Sequence, residues 1–510
     1  MRAALAIFIG GLLVRLWLVW LSPAIYGGDT ILRLVHRDRI LLAYQMPLFQ
    51  FLIYAVSWLS RDPLWVRVAV SLMGALAGVF FYLLAREILP LPAAVIAAVL
   101  FLCNPYLLHF SVVPYQEIAM LLLLLAGVYF YWRGRLTAAS LLIAAACLTR
   151  YEAWVVALVC ALDFALKPHF ARDSSSEGSL AYARGSDLFF ASSVRCIKAV
   201  LLFLWAPLLW ILLWRGLSPQ GTFVLVGAWS FARLYRLISV SRAVASGLGW
   251  LLIPFFVLGL AVSFTDLWKS DGKAEILNRR RMALFVLSLG VLFSLGIMFS
   301  AHGIEPDPER WVTFREGHLP LAVALLFAGS GIHRAIFWSR RKTIAACVLT
   351  VIASGYSLVR ARQWVERSAT QPALQLDLQA ARLIQPYLKR GERVAVFAAP
   401  LPEIEIQKYL DQVRRTGGME GLTRAKEILR SLDPGPEDYQ RLLAYTGAER
   451  RLLLRGSEIG RSETPAVILV FSDAPAGEWE AIKPLLARGY APPSLLHADS
   501  RSVSVYQRRQ

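Results

Sequence analysis

Apolar runs of about membrane-span length recur from Met1 to Leu358, with basic residues gathered between them. That recurrence leaves few ways to fold. A hydrocarbon core of about 30 Å takes roughly 20 apolar residues in a helix. Every backbone polar group inside it must be bonded internally, so only helices and closed barrels cross. Barrel strands would alternate in segments of about ten residues, and these runs do not. The chain is 57% hydrophobic and 17% charged, whereas soluble domains run nearer 45–50% and about 25%. The expectation is a polytopic α-helical membrane protein of about eleven spans.

Taken in order, Met1 to Leu21 reads as an uncleaved first span. Arg15 interrupts its apolar core, and no clean small-residue cleavage site follows. Ile25 to Gln45 reads as an outside loop. Pro47 to Leu59, too short to cross comfortably, reads as an interfacial helix. Leu64 to Ala85 returns, Leu91 to Leu108 goes out, His109 to Gln116 turns outside, and Glu117 to Trp132 returns. Leu136 to Leu148 and Trp154 to Leu166 are half-length pieces around Thr149-Arg150-Tyr151-Glu152. Such a charged break is tolerated where it lines a cavity or reaches water. Lys167 to Lys198 reads as an inside loop and Arg215 to Ser246 as an outside segment. Asn278-Arg279-Arg280-Arg281 and Arg340-Arg341-Lys342 mark the inside. His302 to His318 reads as a late outside loop.

Residues 1–359 form the membrane part of this reading, and residues 360–510 a separate soluble α/β domain. Strand-like runs at Glu392–Phe397, Ala466–Phe471 and Val503–Tyr506 alternate there with helical stretches at Gln375–Leu388, Thr423–Leu432 and Trp479–Arg488. By the topology count this domain lies outside.

The formal charge of +19 does not make a nucleic-acid binder. The basic residues are scattered between apolar runs, where the positive-inside effect puts them. The arginines of the first loop and those after Trp214 fall outside and need another reason. An anionic ligand is one, and a solvated amphipathic helix is the other. The five cysteines, Cys103, Cys147, Cys160, Cys196 and Cys347, form no CxxC and no zinc spacing.

On the topology count, one set of ionisable residues falls at the same outside face. Asp29 follows the first span in Tyr26-Gly27-Gly28-Asp29-Thr30. Glu117 opens the fourth span, and Arg150 with Glu152 separates the half-length pieces. His302, Glu305, Arg310 and Arg315 share the late loop. Acids that can deprotonate a nucleophile and arginines that can hold a phosphate therefore converge at one membrane rim.

On these residues the chain resembles the GT-C superfamily of integral-membrane glycosyltransferases. The likeness is to the family 39-like members, such as protein O-mannosyltransferases and lipid A aminoarabinose transferases. The carriers are Gly28-Asp29-Thr30, Tyr44 through Pro47-Leu48, Pro114-Tyr115-Gln116-Glu117, Leu148-Thr149-Arg150-Tyr151-Glu152, and Arg315 with Pro320. The chain departs from the pattern at Thr30, at Met46 and at Glu316. The resemblance implies a multi-pass cell-membrane enzyme with its active site and C-terminal domain extracytoplasmic. The donor would be a polyprenyl-phosphate sugar. The acceptor, a protein, lipid or glycan, is left open, as is a divalent cation. Asp29 would be the general base for inverting attack by an acceptor hydroxyl or other nucleophile. Arg150 and one of Arg310 or Arg315 would stabilise the departing phosphate. Glu117 would position the acceptor or help hold a cation. A transporter or flippase of lipid-linked sugars is the alternative of another class, but the two related halves it would need are not evident. A non-catalytic donor-binding relative is a third.

An outside-facing Asp29 has a direct check. In a variant without the native cysteines, Asp29→Cys is expected to react with a membrane-impermeant maleimide added outside intact cells. Labelling only from the inside would overturn the topology.

Overall fold

The computed structural model describes residues 2–22, 28–41, 46–171, 194, 196–217, 234–268, 274–299, 317–336, 340–369, 371–398, 436–459, 464–475, 483–484, 486–487, 489–498 and 501–509. Nine helices make its first part. They are α1 (Arg2–Leu21), α2 (Gly28–Val35), α3 (Pro47–Leu59), α4 (Pro63–Ile88), α5 (Leu91–Cys103), α6 (Pro105–Val112), α7 (Gln116–Trp132), α8 (Leu136–Cys147) and α9 (Ala153–Ala171).

The first helix shows how the sequence sorts its faces. Leu5, Ile9, Leu13, Trp17 and Trp20 are exposed, while Gly11, Arg15 and Leu18 are buried. The three-to-four-residue spacing of the exposed set puts it on one stripe, which faces lipid. Among the described residues, three helical stretches have the length and apolarity to cross: Arg2–Leu21, Pro63–Ile88 and Val240–Ser263. The pair α5 and α6, bent by 54°, crosses as a fourth if taken together. Others, such as Gln116–Trp132 and Leu136–Cys147, are apolar but shorter. The chain is a multi-pass membrane protein, and among the described residues its apolar segments are partly short or broken.

Several segments differ from the sequence reading. Leu91 to Leu108 is not one helix. It breaks at Asn104, whose position before Pro105 disfavours helical backbone. The Asn104 Oδ1 then caps α6 by accepting from the Tyr106 and Leu107 amides at 3.0 and 3.4 Å. His109 through Val112 is helical rather than a turn. The first loop is helical from Gly28 through Val35, because Ile31, Leu34 and their neighbours give that stretch a buried apolar side. Of the expected outside segment up to Ser246, residues 234–246 are the start of a helix, Leu234–Trp268, kinked at Gly249 with φ 69°, and 218–233 lie outside the described residues. Arg236 and Arg242 fall on it, and Arg233 lies outside the described residues. The basic marker Asn278 to Arg281 is on the helix Ala274–Phe299, not in a loop.

Two helices later in the chain meet backbone to backbone. A Cβ on Gly259 would sit 1.9 Å from the Phe327 carbonyl oxygen, and one on Gly331 would sit 1.9 Å from that of Phe255. Lipid is as apolar as any side chain, so helices in a membrane gain from close approach at small residues. Polar side chains add fastening elsewhere. Arg15 Nε donates to Ser111 Oγ at 2.8 Å, Arg67 Nε to the Val112 carbonyl at 2.9 Å, and Ser71 Oγ to the Ser111 carbonyl at 3.0 Å. These contacts pin α6 against α1 and α4.

Beyond Ala369 the chain forms a five-stranded mixed sheet, ordered β2-β1-β3-β5-β4. The strands are β1 (Val394–Phe397), β2 (Leu453–Arg455), β3 (Val467–Phe471), β4 (Ser494–Ala498) and β5 (Arg501–Gln507). The first three run parallel, and β5 is antiparallel to both β3 and β4. Strands β1, β3 and β5 lie where the sequence puts them, and β2 and β4 are additional. The helix Pro372–Lys389 covers the expected Gln375–Leu388, and Glu437–Thr446 was not foreseen. Thr423–Leu432 and most of 479–488 lie outside the described residues. A buried ion network ties these helices to the sheet. Arg441 pairs with Asp377 and, at 2.7 Å, with Asp438, while Arg501 reaches Asp438 at 3.0 Å and Asp473 at 2.5 Å. Burial pushes the Asp377 carboxyl up to about 7 despite Arg441.

The glycine contact yields a sharp contrast. Gly331→Val has no room against the Phe255 backbone and is expected to cost at least about 3 kcal/mol. Gly355→Ala, on the helix Arg340–Ala369 with nothing within 4 Å, is expected to be neutral or to stabilise by up to about 1 kcal/mol. Thermal unfolding of the two variants in the same detergent decides it.

Candidate active site

Four helix ends meet at one rim of the bundle. Thr30, in the first turn of α2, donates from Oγ1 to the Pro114 carbonyl at 3.3 Å. The Leu48 amide at the start of α3 donates to the Leu148 carbonyl after α8 at 2.9 Å. Between them Arg33 crosses from α2. Its Nη1 donates to Gln50 Oε1 at 3.4 Å and its Nη2 to Gln116 Oε1. Gln50 is wholly buried and returns its Nε2 to the Arg33 and His36 carbonyls at 3.2 and 2.9 Å. Two amide side chains thus fix the Arg33 guanidinium, and the Phe49 ring lies beneath it with its centroid 5.3 Å from Cζ. Such a cation–π contact holds an arginine in place where water is scarce.

The next residue after Gln116 begins the ionic part. Glu117 is fully buried and accepts from Arg150 Nη1 at 2.6 Å. Glu152 accepts from Arg150 Nε at 3.0 Å and, through its other oxygen, from Nη2. Local structure explains the convergence. Glu117 sits in the first turn of α7, where a carboxylate is favoured by the unsatisfied amides of a helix start. Arg150 and Glu152 occupy the tight turn between α8 and α9, in which the Thr149 and Arg150 amides both return to the Ala146 carbonyl. A two-residue separation lets Glu152 fold back on Arg150 in a bidentate pair.

The structure therefore brings Glu117, Arg150 and Glu152 together. Asp29 is in the first turn of α2, next in sequence to Thr30 and so beside the Pro114 turn; its side chain lies outside the described residues. His302, Glu305, Arg310 and Arg315 also lie outside them. His318 begins the helix His318–Ile336, buried, with its ring edge-on to Phe293 at 5.7 Å. Sequence reasoning did not single out Arg33, Gln50 or Gln116. The available signal was spacing, since Arg33 is four residues after Asp29 and shares its face once that stretch is helical. Among the described residues, no group of three His, Cys, Asp or Glu side chains is arranged to hold a metal ion.

The fold and this rim define a class first: a multi-pass membrane protein with a polar centre at the helix ends and an α/β domain after the bundle. Particular likenesses follow from comparison with solved structures. The chain is similar to ArnT from Cupriavidus metallidurans in the apo state, with a TM-score of 0.49 at 13% identity, covering 98% of this chain and 97% of that one. It is similar to the same ArnT bound to undecaprenyl phosphate, with a TM-score of 0.48 at 13% identity over the same shares. It is also similar to the archaeal oligosaccharyltransferase AglB from Archaeoglobus fulgidus in complex with an inhibitory peptide and a dolichol-phosphate. That match has a TM-score of 0.45 at 12% identity, covering 99% of this chain and 74% of that one. No protein-family model matches the chain, and no curated protein matches it in sequence. The chemistry is read from this chain's own residues.

The buried ion triad generates the prediction here. Glu117→Ala removes one of two counter-charges from a guanidinium that has little access to water, at a cost of about 3 kcal/mol. Glu117→Gln keeps an acceptor and is expected to cost less. Combining Glu117→Ala with Arg150→Ala is expected to recover part of the loss. Denaturation of the purified variants measures all three.

Proposed function

We propose that this protein is a membrane glycosyltransferase that moves a sugar from a polyprenyl-phosphate donor to an acceptor nucleophile at the extracytoplasmic face. The observation that carries the reading is the convergence of Arg33, Glu117, Arg150 and Glu152 at one rim, beside the turn of α2 that holds Asp29. Asp29 is the general base. It removes the acceptor's proton as that nucleophile attacks the anomeric carbon from the face opposite the phosphate, which inverts the configuration. Charge builds on the departing phosphate, and fixed cations that meet it lower the barrier most. Arg150 serves there, together with one of Arg310 or Arg315. Arg33, one helical turn from Asp29 and already fixed by two amides, joins them. Glu117 and Glu152 hold Arg150 in place, and Glu117 faces the acceptor side.

Inward from the rim the bundle is apolar around a small cavity of about 20 Å³. It opens among Phe81, Leu84, Leu124, Leu125, Val156 and Leu326, between α4, α7, α9 and two later helices. Leu124 and Leu125 are eight and nine residues from Gln116, so the cavity begins about 12 Å along α7 from the polar rim. A polar rim followed by an apolar interior is the order that a phosphate head and a lipid chain call for.

The deciding experiment presents labelled polyprenyl-phosphate sugars to the protein in vesicles and compares wild type with Asp29→Asn. Loss of at least about a hundredfold in the transfer rate is expected, with donor binding intact. Equal transfer by both forms would put the base elsewhere. Donor binding without transfer by wild type would leave a non-catalytic relative, and movement of intact donor across the bilayer would leave a flippase.

A further inference from the structure

Arg37, two residues past the end of α2, joins three distant stretches of chain. It is buried, and four carbonyls surround its guanidinium. Nε donates to Leu34 at 2.6 Å, Nη1 to Arg61, and Nη2 to Leu443 and Ala444 at 3.3 and 3.2 Å. Leu34 is in the last turn of α2, and Arg61 is in the turn between α3 and α4. Leu443 and Ala444 are in the final turns of the helix Glu437–Thr446, which belongs to the C-terminal α/β region. The last carbonyls of a helix have no intrahelical partner and carry its negative end. Burial, and then the neighbouring Arg61, lowers the Arg37 pKa to about 10, which leaves the side chain charged at neutral pH.

A second observation marks the same junction from the other side. Gly447 ends that helix with φ 66°, and a Cβ there would lie 2.3 Å from the Arg61 carbonyl oxygen. The backbone of the C-terminal region is therefore in direct contact with the turn that Arg37 also grips. The Arg61 and Glu449 side chains approach to 3.9 Å alongside it, both well exposed.

We propose that the C-terminal region positions the catalytic helix: through Arg37 it fixes α2, and with α2 the orientation of Asp29 and Arg33. Arg37 is a positioning residue in this scheme and does not touch the substrate. The positioning claim rests on the transferase reading given above, whereas the mechanical coupling does not.

Amide hydrogen exchange on the full-length protein in lipid nanodiscs reads the coupling without any turnover. Arg37→Ala is expected to speed exchange at least tenfold in 28–35 and in 437–446, and to leave 394–397 and 467–471 unchanged. Gly447→Ala, with Arg37 intact, is expected to speed exchange in 28–35 in the same way. Arg37→Lys, with one donor point in place of a fork, falls between. Unchanged exchange in 28–35 in Gly447→Ala overturns the coupling. If Arg37→Ala also loosens the sheet, Gly447→Ala and Arg37→Lys decide. Where wild type transfers sugar, Arg37→Ala is expected to lower kcat per donor-binding site by on the order of tenfold to a hundredfold, with donor KM unchanged. An unchanged kcat alongside a loosened α2 overturns the positioning role and spares the transferase reading. A wild type that transfers nothing removes that reading and leaves the exchange result standing.

Discussion

A guanidinium shut away from water needs its acceptors inside the protein, and Arg150 has two carboxylates. Taking charges out of water costs several kcal/mol each, and only close, well-bonded partners offset it. The pairs with Glu117 and Glu152 meet that condition, and they do so between the α8–α9 turn and the start of α7. The hydrogen bonds of Thr30 to Pro114 and of Arg33 to Gln116 extend the same polar layer to α2. Remove the triad and the turn between the two short helices has no reason to stay at this depth. The candidate site is thus a consequence of how buried charge is satisfied, and its rigidity comes from the same source.

The rest of the bundle is arranged around short and broken helices. A helix of 13 residues such as α5 spans about 20 Å, less than the hydrocarbon core, so its successor α6 continues at an angle. The bend frees backbone groups that side chains must then satisfy. Asn104 serves both sides, capping α6 and donating to the Gly247 carbonyl at 2.9 Å. Gly259 and Gly331 do the opposite job, removing side chains so that two backbones can touch. Polar fastening and close approach are the two cohesive devices left when apolar surface gains nothing by leaving lipid.

Much of this was legible in the chain. Long apolar runs gave α1, α4 and α7 within a few residues, and the four-residue run Val394–Phe397 and the five-residue run Val467–Phe471 gave the sheet centre. What escaped has physical reasons. The break at Asn104 is a local backbone preference inside an apolar run, so hydropathy passes over it. The helix Gly28–Val35 hides because Asp29, Thr30 and Arg33 look like loop residues, although Ile31 and Leu34 are buried. Strands β2 and β4 are short or edge-lying and carry little alternation. At the candidate site the chain gave Glu117, Arg150 and Glu152 as rim charges, but nothing in their spacing reveals that they bond to one another. Arg33, Gln50 and Gln116 come from three separate segments, and only the fold makes them neighbours.

The reach of Arg37 also bears on how the chain is made. Its partner Leu443 is 406 residues away. A ribosome adding about 5–20 residues per second delivers that partner roughly 20–80 s after Arg37 itself. Throughout that interval α2 stands at the membrane surface with one side of its anchor missing. A chain truncated before Glu437 lacks the Leu443 and Ala444 carbonyls that brace Arg37 beside α2. The contacts of Leu443 and Ala444 with Arg37 are therefore among the last that this part of the bundle can acquire.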